Sequence, residues 1–325
     1  MRVIVYGVGA IGGVVAAALA LAGREVVGIA RGRQLEAIRA NGLLLRNPDQ
    51  AVRAEFPCVG DPGEIDFRPD DAILLTMKTQ DTLPALERLR SLGVRDQPIF
   101  CAQNSVANEP LALRRFPNVH GVTVMMPATY RVPGEVAVFA TPHHGIFEIG
   151  RYPTGADADD ERLAEALAAA GIATFVTPDV MQGKHGKLLM NLHNVVEAAL
   201  GRGAETARID EAIRAEARAV LAAAGIPWRD VGAADPRRDP LMQQRPVPGV
   251  ERAGGSSTQS LLRGTGSIET DYLNGEIVLL GRLHGVATPA NAFFLDLSAR
   301  ILRDGLAAGS IPRDEVEAGL AAAGV

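Results

Sequence analysis

The stretch Val3–Gly23, VIVYGVGAIGGVVAAALALAG, decides the fold. A β-branched run, Val3 to Tyr6, meets Gly7, Gly9 and Gly12 in the spacing G-x-G-x-x-G, and a small-residue segment follows that stops at Gly23. The order is strand, tight turn, helix. Gly7 permits the turn, Gly9 lets backbone approach a pyrophosphate, and Gly12 lets the helix lie close on the strand, with anionic oxygens facing the free N–H groups of the helix N-terminus. Gly7, Val8, Gly9, Ala10, Ile11 and Gly12 are therefore the first candidate cofactor contacts. The uncharged length also resembles a signal peptide or membrane span. Five glycines, at 7, 9, 12, 13 and 23, argue against that, and Glu25 to Ala30 supplies the second strand that a β-α-β unit requires.

The rest of the chain agrees with a soluble enzyme-sized protein. Its 325 residues, 47% of them hydrophobic, suffice for a large core and two domains. A net charge of -5 provides no basic field for a nucleic-acid backbone, and no other apolar run reaches membrane length. Cys58 and Cys101 lack any C-x-x-C or zinc spacing, so neither a disulfide framework nor a metal site is expected, and a reducing cytoplasm fits best. Cys101 reads as a small buried hydrophobe in a strand.

Short apolar runs at Val3 to Tyr6, Glu25 to Ala30, Asp71 to Thr76, Pro98 to Ala102 and Val119 to Val124 alternate with helical stretches such as Gln34 to Asn41 and Asp81 to Ser91. That order predicts a parallel sheet with helices on both faces. Between Gly134 and Gly150 the pattern predicts an antiparallel hairpin added to the sheet, and Thr174 to Thr177 a last strand. From Asp179 onward the pattern is helical, apart from a Pro- and Arg-rich loop at Ala233 to Gly255. The expected fold class is α/β, a Rossmann-type doubly wound sheet followed by an all-helical C-terminal domain, with domains at 1–178 (NADP-binding) and 179–325 (substrate-binding and catalytic).

The residue ending the second strand discriminates between nicotinamide cofactors, because an acid there accepts the ribose 2′-OH whereas a cation accommodates a 2′-phosphate. Here it is Arg31, with Arg33 following and no acid at the strand end. Lys78 adds a cation after the strand ending near Thr76, at the carboxyl edge where ligands of open α/β sheets bind. NADP is favoured over NAD and over flavin; the alternative is an arginine merely solvated in a loop.

In the helical half, Lys187, Asn191 and Asn194 stand at i, i+4 and i+7, a shared helix face, among Leu188, Leu189, Leu192 and Val195. A lysine in such apolar surroundings is partly desolvated, which fits it to deliver a proton near neutral pH. The competing reading is the exposed face of an amphipathic helix. His185 and His193, eight apart, read as structural or surface histidines rather than a metal pair. Glu269 lies where a loop leads into a helix, after the cluster Ser256, Ser257, Thr258. Taken singly, it reads equally as a carboxylate complementing a helix dipole, and Ser257 as an N-cap.

Together these residues are similar to one family. The GVGAIG turn, Arg31, Lys78 at a strand end, Gln103 with Asn104, Lys187 with Asn191, Ser256 with Ser257, and ETDYLNG at 269–275 followed by GVATPAN at 285–291 resemble ketopantoate reductases (2-dehydropantoate 2-reductases) almost end to end. The last two segments are the most specific. The resemblance implies NADPH-dependent reduction of a small 2-keto acid, ketopantoate to pantoate, on the route to pantothenate. It implies Lys187 as general acid, Glu269 supporting that lysine and the cofactor ribose, and Asn104, Asn191, Asn194 and Ser257 on the substrate. Asn104 is also expected on the nicotinamide side, and Arg31 with Lys78 on the 2′-phosphate.

Four departures fall on the expected substrate side. The second family asparagine normally stands eight residues after the lysine, where Val195 stands here, with Asn194 one earlier. Ser105 replaces a glycine, Thr258 to Leu261 replace Met-Leu-Gln-Asp, and His185 replaces a tryptophan. The alternatives are a 3-hydroxyacid dehydrogenase-like oxidoreductase, which shares a lysine and asparagine four apart, and a non-catalytic NADPH-binding regulator. The expected partners are a small-molecule substrate and a second copy in a homodimer, with neither nucleic acid nor membrane.

Overall fold

The computed structural model describes residues 1–264 and 266–325. Strands follow in the order β1 (Arg2–Tyr6), β2 (Val26–Ile29), β3 (Leu43–Arg46), β4 (Ala51–Ala54), β5 (Cys58–Val59), β6 (Asp71–Leu75), β7 (Ile99–Cys101), β8 (Val119–Met125), β9 (Ala128–Thr129), β10 (Glu135–Val138), β11 (Ala140–Pro142), β12 (Ile146–Arg151), β13 (Ala173–Val176) and β14 (Met242–Gln244). Helices are α1 (Ala10–Leu21), α2 (Gly32–Asn41), α3 (Thr82–Ser91), α4 (Asn108–Leu113), α5 (Ala158–Ala169), α6 (Val180–Asn191), α7 (His193–Leu200), α8 (Ala207–Ala223), α9 (Arg238–Leu241), α10 (Ser256–Leu262), α11 (Asn274–His284), α12 (Pro289–Arg303) and α13 (Arg313–Ala322).

The chain divides into two compact units, 1–184 with 230–252, and 185–229 with 253–325. In the first, an eight-stranded sheet runs β13-β12-β8-β7-β6-β1-β2-β5. Strands β5, β2, β1, β6, β7 and β8 are mutually parallel. The order reverses at β1 and β6, and open α/β sheets bind ligands outside the carboxyl ends of such a pair. Beneath, Arg2 grips Asp71 through two bonds of 2.8 and 2.7 Å and fastens β1 to β6 at their amino ends. One face buries Ile4, Ile73, Leu75, Leu86, Leu89 and Phe116, where α3 and α4 pack.

The lack of charge in Val3–Gly23 has a packing cause. A second sheet, β4-β3-β10-β9, covers the outer side of α1, and Gly12 to Leu19 are buried without interruption. A Cβ on Gly13 would stand 2.7 Å from Val136 Cγ1 of β10, so helix and cover sheet are in close contact. Among the described residues no helix is long and apolar enough to cross a membrane.

One expectation needs correction, and the compact units divide a little beyond the expected boundary. The segment Gly134 to Gly150 is not a hairpin: β10 pairs parallel with β3 and antiparallel with β9, whereas β12 pairs antiparallel with β8 and parallel with β13. Each strand is buried where it lies, Ile146 to Gly150 within the main sheet and Val136 to Val138 in the cover sheet, where Val136 packs on Gly13 of α1. The division expected at 178/179 falls inside α6, between Lys184 and His185, and 230–252 return to the first unit. There β14 pairs with β11, and Arg237 bonds Glu148 of β12 at 2.6 Å. Within its described residues the second unit is helical, with α11 and α12 packed on α8.

Candidate functional site

Three segments leave the sheet at its carboxyl edge in the first unit: the glycine turn after β1, Thr76 to Lys78 after β6, and Gln103 to Ser105 after β7. Gly7 has φ +111°, and a Cβ there would meet Met77 N at 2.6 Å. Thr76 ties the two loops together, its hydroxyl donating to the carbonyls of Gly7 at 2.9 Å and Tyr6 at 3.2 Å. Gln34, the buried first-turn residue of α2, donates to Val8 O at 3.1 Å and accepts from Gly134 N at 2.8 Å, so both ends of its amide hold the turn in place.

Above this framework the turn is open. A Cβ on Gly9 would meet no protein atom within 4 Å, and α1 has neither a side-chain cap nor an acidic residue in its first turn. The N–H groups of Ala10, Ile11 and Gly12 thus begin a helix whose positive end lacks any internal counter-charge, a setting that favours an anion. Arg31 is the N-cap residue of α2 and 74% exposed; its nearest counter-charge is Asp81, at 3.5 Å. An exposed pair of this kind is weak enough to yield to a ligand phosphate. Lys78 caps the short 3-10 turn Thr79–Asp81 at the end of β6.

Asn104 is half-buried, and its backbone oxygen accepts from Asn108 Nδ2 at 3.1 Å and Thr79 Oγ1 at 3.2 Å. Ser105 has φ +79°, a conformation that costs a non-glycine residue about 1–2 kcal/mol, which explains why glycine suits this position. Its hydroxyl accepts from Ala107 N at 3.1 Å and helps to hold the bend. The side chain of Gln103 is buried, donating to Thr82 Oγ1 at 2.9 Å.

In the second unit, Lys187 is half-buried on α6 and Asn191 ends that helix. Leu192 separates α6 from α7, so Asn194 belongs to α7; Leu192 itself keeps right-handed helical dihedrals, φ -56° and ψ -30°, and its N–H bonds Leu188 O at 3.1 Å. Asn191 is 6% exposed, and its Nδ2 has no partner among the described residues. Asn194 Oδ1 lies 2.9 Å from where a Gly255 Cβ would stand. Gly255 is the N-cap of α10, so Ser257 lies inside the helix and is not its cap. Ser256 donates to Glu269 Oε2 at 3.4 Å, and Glu269 is only 4% exposed, too buried for a mere solvated first-turn acid.

Sequence reasoning missed several positioning groups. Glu197 of α7 accepts from Gly255 N at 2.7 Å and Thr258 Oγ1 at 2.8 Å, docking α7 on the start of α10. Asn274 donates to Asn291 Oδ1 at 3.0 Å and Leu192 O at 3.4 Å, and Glu216 accepts from Ala290 N, Asn291 N and Asn291 Nδ2 at 2.7 to 3.0 Å. Two asparagines of the most specific sequence segments are therefore linked to each other, and through Asn274 to the junction of α6 and α7 at Leu192. In the first unit, Lys184 is buried against Glu109. His193 pairs with Asp210 at 2.7 Å, a structural role.

A parallel sheet reversing at β1 and β6, with an uncapped glycine turn at that point, defines a dinucleotide-binding α/β protein. Comparison with known proteins narrows the class. Residues 3–154 match the family Ketopantoate reductase PanE/ApbA, and residues 179–301 match Ketopantoate reductase PanE/ApbA C terminal. The chain is 30% identical to a 2-dehydropantoate 2-reductase of Mesorhizobium japonicum, over 93% of this chain and 98% of that one. It is 27% identical to a PanE/ApbA family ketopantoate reductase from Ralstonia eutropha JMP134, with TM-score 0.77 over 94% of this chain and 99% of that one. D-mandelate dehydrogenase, solved with NADH and anilino(oxo)acetate, shares the fold at 24% identity and TM-score 0.78, over 94% of this chain and all of that one, 100%. The chain belongs to the ketopantoate reductase family of oxidoreductases.

Proposed function

We propose that this protein reduces a small 2-keto acid with NADPH, 2-dehydropantoate being the first candidate, and that Lys187 is the general acid. The observation that carries this reading is Asn191. A buried amide donor without a protein partner is costly, and it lies one helical turn beyond a half-buried lysine. A carboxylate or hydroxyl of the substrate would satisfy it. The open, uncapped glycine turn fits a pyrophosphate, and Arg31 with Lys78 fits the 2′-phosphate that distinguishes NADPH from NADH.

Bound NADPH supplies the hydride that reaches C2 of the keto acid. Lys187 delivers the proton to the ketone oxygen, and its ammonium stabilises the negative charge growing there. Glu269, held by Ser256, supports the lysine and the ribose end of the cofactor; Asn104, Asn194 and Ser257 orient the substrate. Both halves of the reaction are then accounted for: hydride to carbon, proton to oxygen.

The test is NADPH oxidation against a panel of 2-keto acids, with 3-hydroxy acids and NADP in the reverse direction as the contrasting arm. Lys187→Ala should lower turnover on the preferred keto acid by roughly 100- to 10,000-fold while NADPH binding is retained. Normal turnover in that variant removes Lys187 from the mechanism. Tight NADPH binding with no turnover of any acid by the native protein would overturn the enzymatic reading.

A further inference from the structure

The buried ion pair Lys184–Glu109 has no part in the chemistry above, yet it lies directly beneath one of the three segments that form the carboxyl edge. The first turn of α6 rests on β8 at Gly121. A Cβ there would stand 3.1 Å from Val180 Cγ1, 3.4 Å from Met181 Sδ and 3.5 Å from Lys184 Cδ, so glycine lets the helix lie flat on the strand. From that seat the Lys184 side chain, 3% exposed, crosses to the end of β7. Its Nζ donates to Cys101 O at 2.9 Å, to Gln103 O at 3.2 Å and to Glu109 Oε1.

Burying such a pair carries several kcal/mol of desolvation for each ion, and apolar residues of similar volume commonly replace one without loss of stability. The site is dry enough for that, since Cys101, which senses both charges, is fully buried. Burial itself pushes the Glu109 carboxyl upward, against the lowering influence of the Lys184 ammonium. What an amine provides and a hydrocarbon does not is a donor shared by two carbonyls, those flanking Ala102, where the chain departs from the sheet. Ala102 N is itself bonded to Leu75 O at 3.0 Å, and Asn104 O is held by Asn108 and Thr79. Lys184 adds, at the carbonyls on either side of Ala102, a further restraint on the backbone that presents Asn104.

We propose that Lys184, charge-balanced by Glu109, is a positioning residue that fixes the carbonyls of Cys101 and Gln103 and thereby sets the placement of Asn104. As a statement about turnover this rests on the reading in which Asn104 touches cofactor and substrate; as a statement about the backbone it does not. The amine thus acts through Asn104, and a misplacement of about 1 Å at a reacting site can cost roughly 100-fold in rate.

The test compares the native protein with Lys184→Met/Glu109→Met and with Glu109→Gln, in the full chain. The double variant removes both charges and should melt near the native temperature, because no buried ion is left unpaired. Amide exchange across residues 102–107 should nevertheless accelerate, with the glycine turn at 7–13 unchanged, and turnover should fall by roughly 100-fold. The primary isotope effect with 4-deuterated NADPH should rise, because hydride transfer becomes slower relative to the other steps. Mere destabilisation would reduce the amount of active enzyme and leave that isotope effect alone. Glu109→Gln keeps the amine and its two carbonyl bonds but leaves the buried charge without its counter-ion, so it should melt below the native protein; at a temperature where it is folded, exchange at 102–107 and turnover per folded molecule should stay near native. Native exchange at 102–107 in the double variant overturns the proposal, as does loss of the segment's protection in Glu109→Gln as large as in the double variant. If the double variant does not fold, Lys184→Met/Glu109→Gln takes its place, since it also removes the amine and leaves no buried charge, and the same two outcomes decide. If the native protein reduces no keto acid, the exchange comparison still stands, so failure of the functional reading is distinguishable from failure of this one.

Discussion

Gly9 and Gly12 stand three residues apart in one motif, and the structure assigns them opposite vulnerabilities. A Cβ on Gly12 would lie 2.4 Å from the Gly7 carbonyl oxygen and 2.4 Å from Thr76 Oγ1, with Val5 Cγ1 at 3.0 Å. The hydroxyl could rotate away, but the carbonyl is backbone of the turn itself. Gly12→Ala should therefore reach the upper part of the overpacking range, about 3 kcal/mol. For a unit of this size that lowers Tm by roughly 6–12 °C. On Gly9 the same methyl meets nothing within 4 Å, so the folded protein loses only the small preference for glycine over alanine at an N-cap, about 0.5–1 kcal/mol. A pyrophosphate lying against that backbone would meet the methyl instead. Taking about 1–3 kcal/mol for the intrusion, NADPH affinity should weaken roughly 5- to 150-fold. Thermal melting separates the two variants, and titration of NADPH fluorescence gives Kd for Gly9→Ala at a temperature where both it and the native protein are folded. Native affinity in Gly9→Ala would refute the placement of a dinucleotide on this turn.

Arg31→Ala should weaken NADPH roughly 10- to 150-fold, the worth of a charged hydrogen bond, and leave NADH nearly unchanged; equal losses for both contradict a 2′-phosphate contact. Asn191→Ala removes a buried donor that has no partner among the described residues, so stability in urea should move by less than about 1 kcal/mol while KM for the keto acid rises roughly tenfold. A large loss of stability with unchanged KM would make Asn191 structural. The Asp210 carboxylate, with Glu197 adding to it and burial and Arg214 opposing, holds the His193 imidazolium above its ordinary 6.5. Its contribution to stability is then complete below pH about 6.5 and disappears as pH rises through the elevated folded value. The Tm difference between the native protein and His193→Gln should be greatest in acid and shrink through that window; a pH-independent difference would show the pair to be uncharged.

The parallel centre of the main sheet was legible because its strands are apolar on both faces and each follows a turn or helix with its own signal, whereas the two-residue β5 at its edge was not. Val3 to Tyr6, Asp71 to Thr76 and Val119 to Val124 correspond to β1, β6 and β8 within a residue at either end. The cover sheet was not. Its strands are two to four residues long, β4 is mostly solvent-facing, and the β3–β10 pairing that unites its two halves joins Leu44 to Glu135, so periodicity had too little chain to act on. The return of 230–252 was hidden for the same reason, since Arg237 finds Glu148 across 89 positions. Lys184 and Glu109, separated by 75, carry no local mark at all. Asn274 and Asn291 show the converse: prominent in the sequence, they are explained by bracing α8, α11, α12 and Leu192.

The departures from the family pattern also acquire a physical connection. Val195 is 1% exposed and part of the second unit's core, with Val196, Ala198 and Ala199 buried beside it. An asparagine at 195 would bring a polar amide into that core, at a cost unless it found partners there. At 194 the amide instead faces Gly255, and Glu197, one turn later, receives the Gly255 N–H and the Thr258 hydroxyl. Thr258 belongs to the segment that departs from Met-Leu-Gln-Asp. Two of the four departures, at 194–195 and 258–261, thus lie side by side where α7 meets α10, Asn194 against Gly255 and Thr258 on Glu197. Replacing Thr258 by an apolar residue would still leave Glu197 its bond from Gly255 N, so the backbone tie between α7 and α10 does not depend on the side chains at 194 and 258, and those side chains are free to differ from the family pattern without undoing the junction.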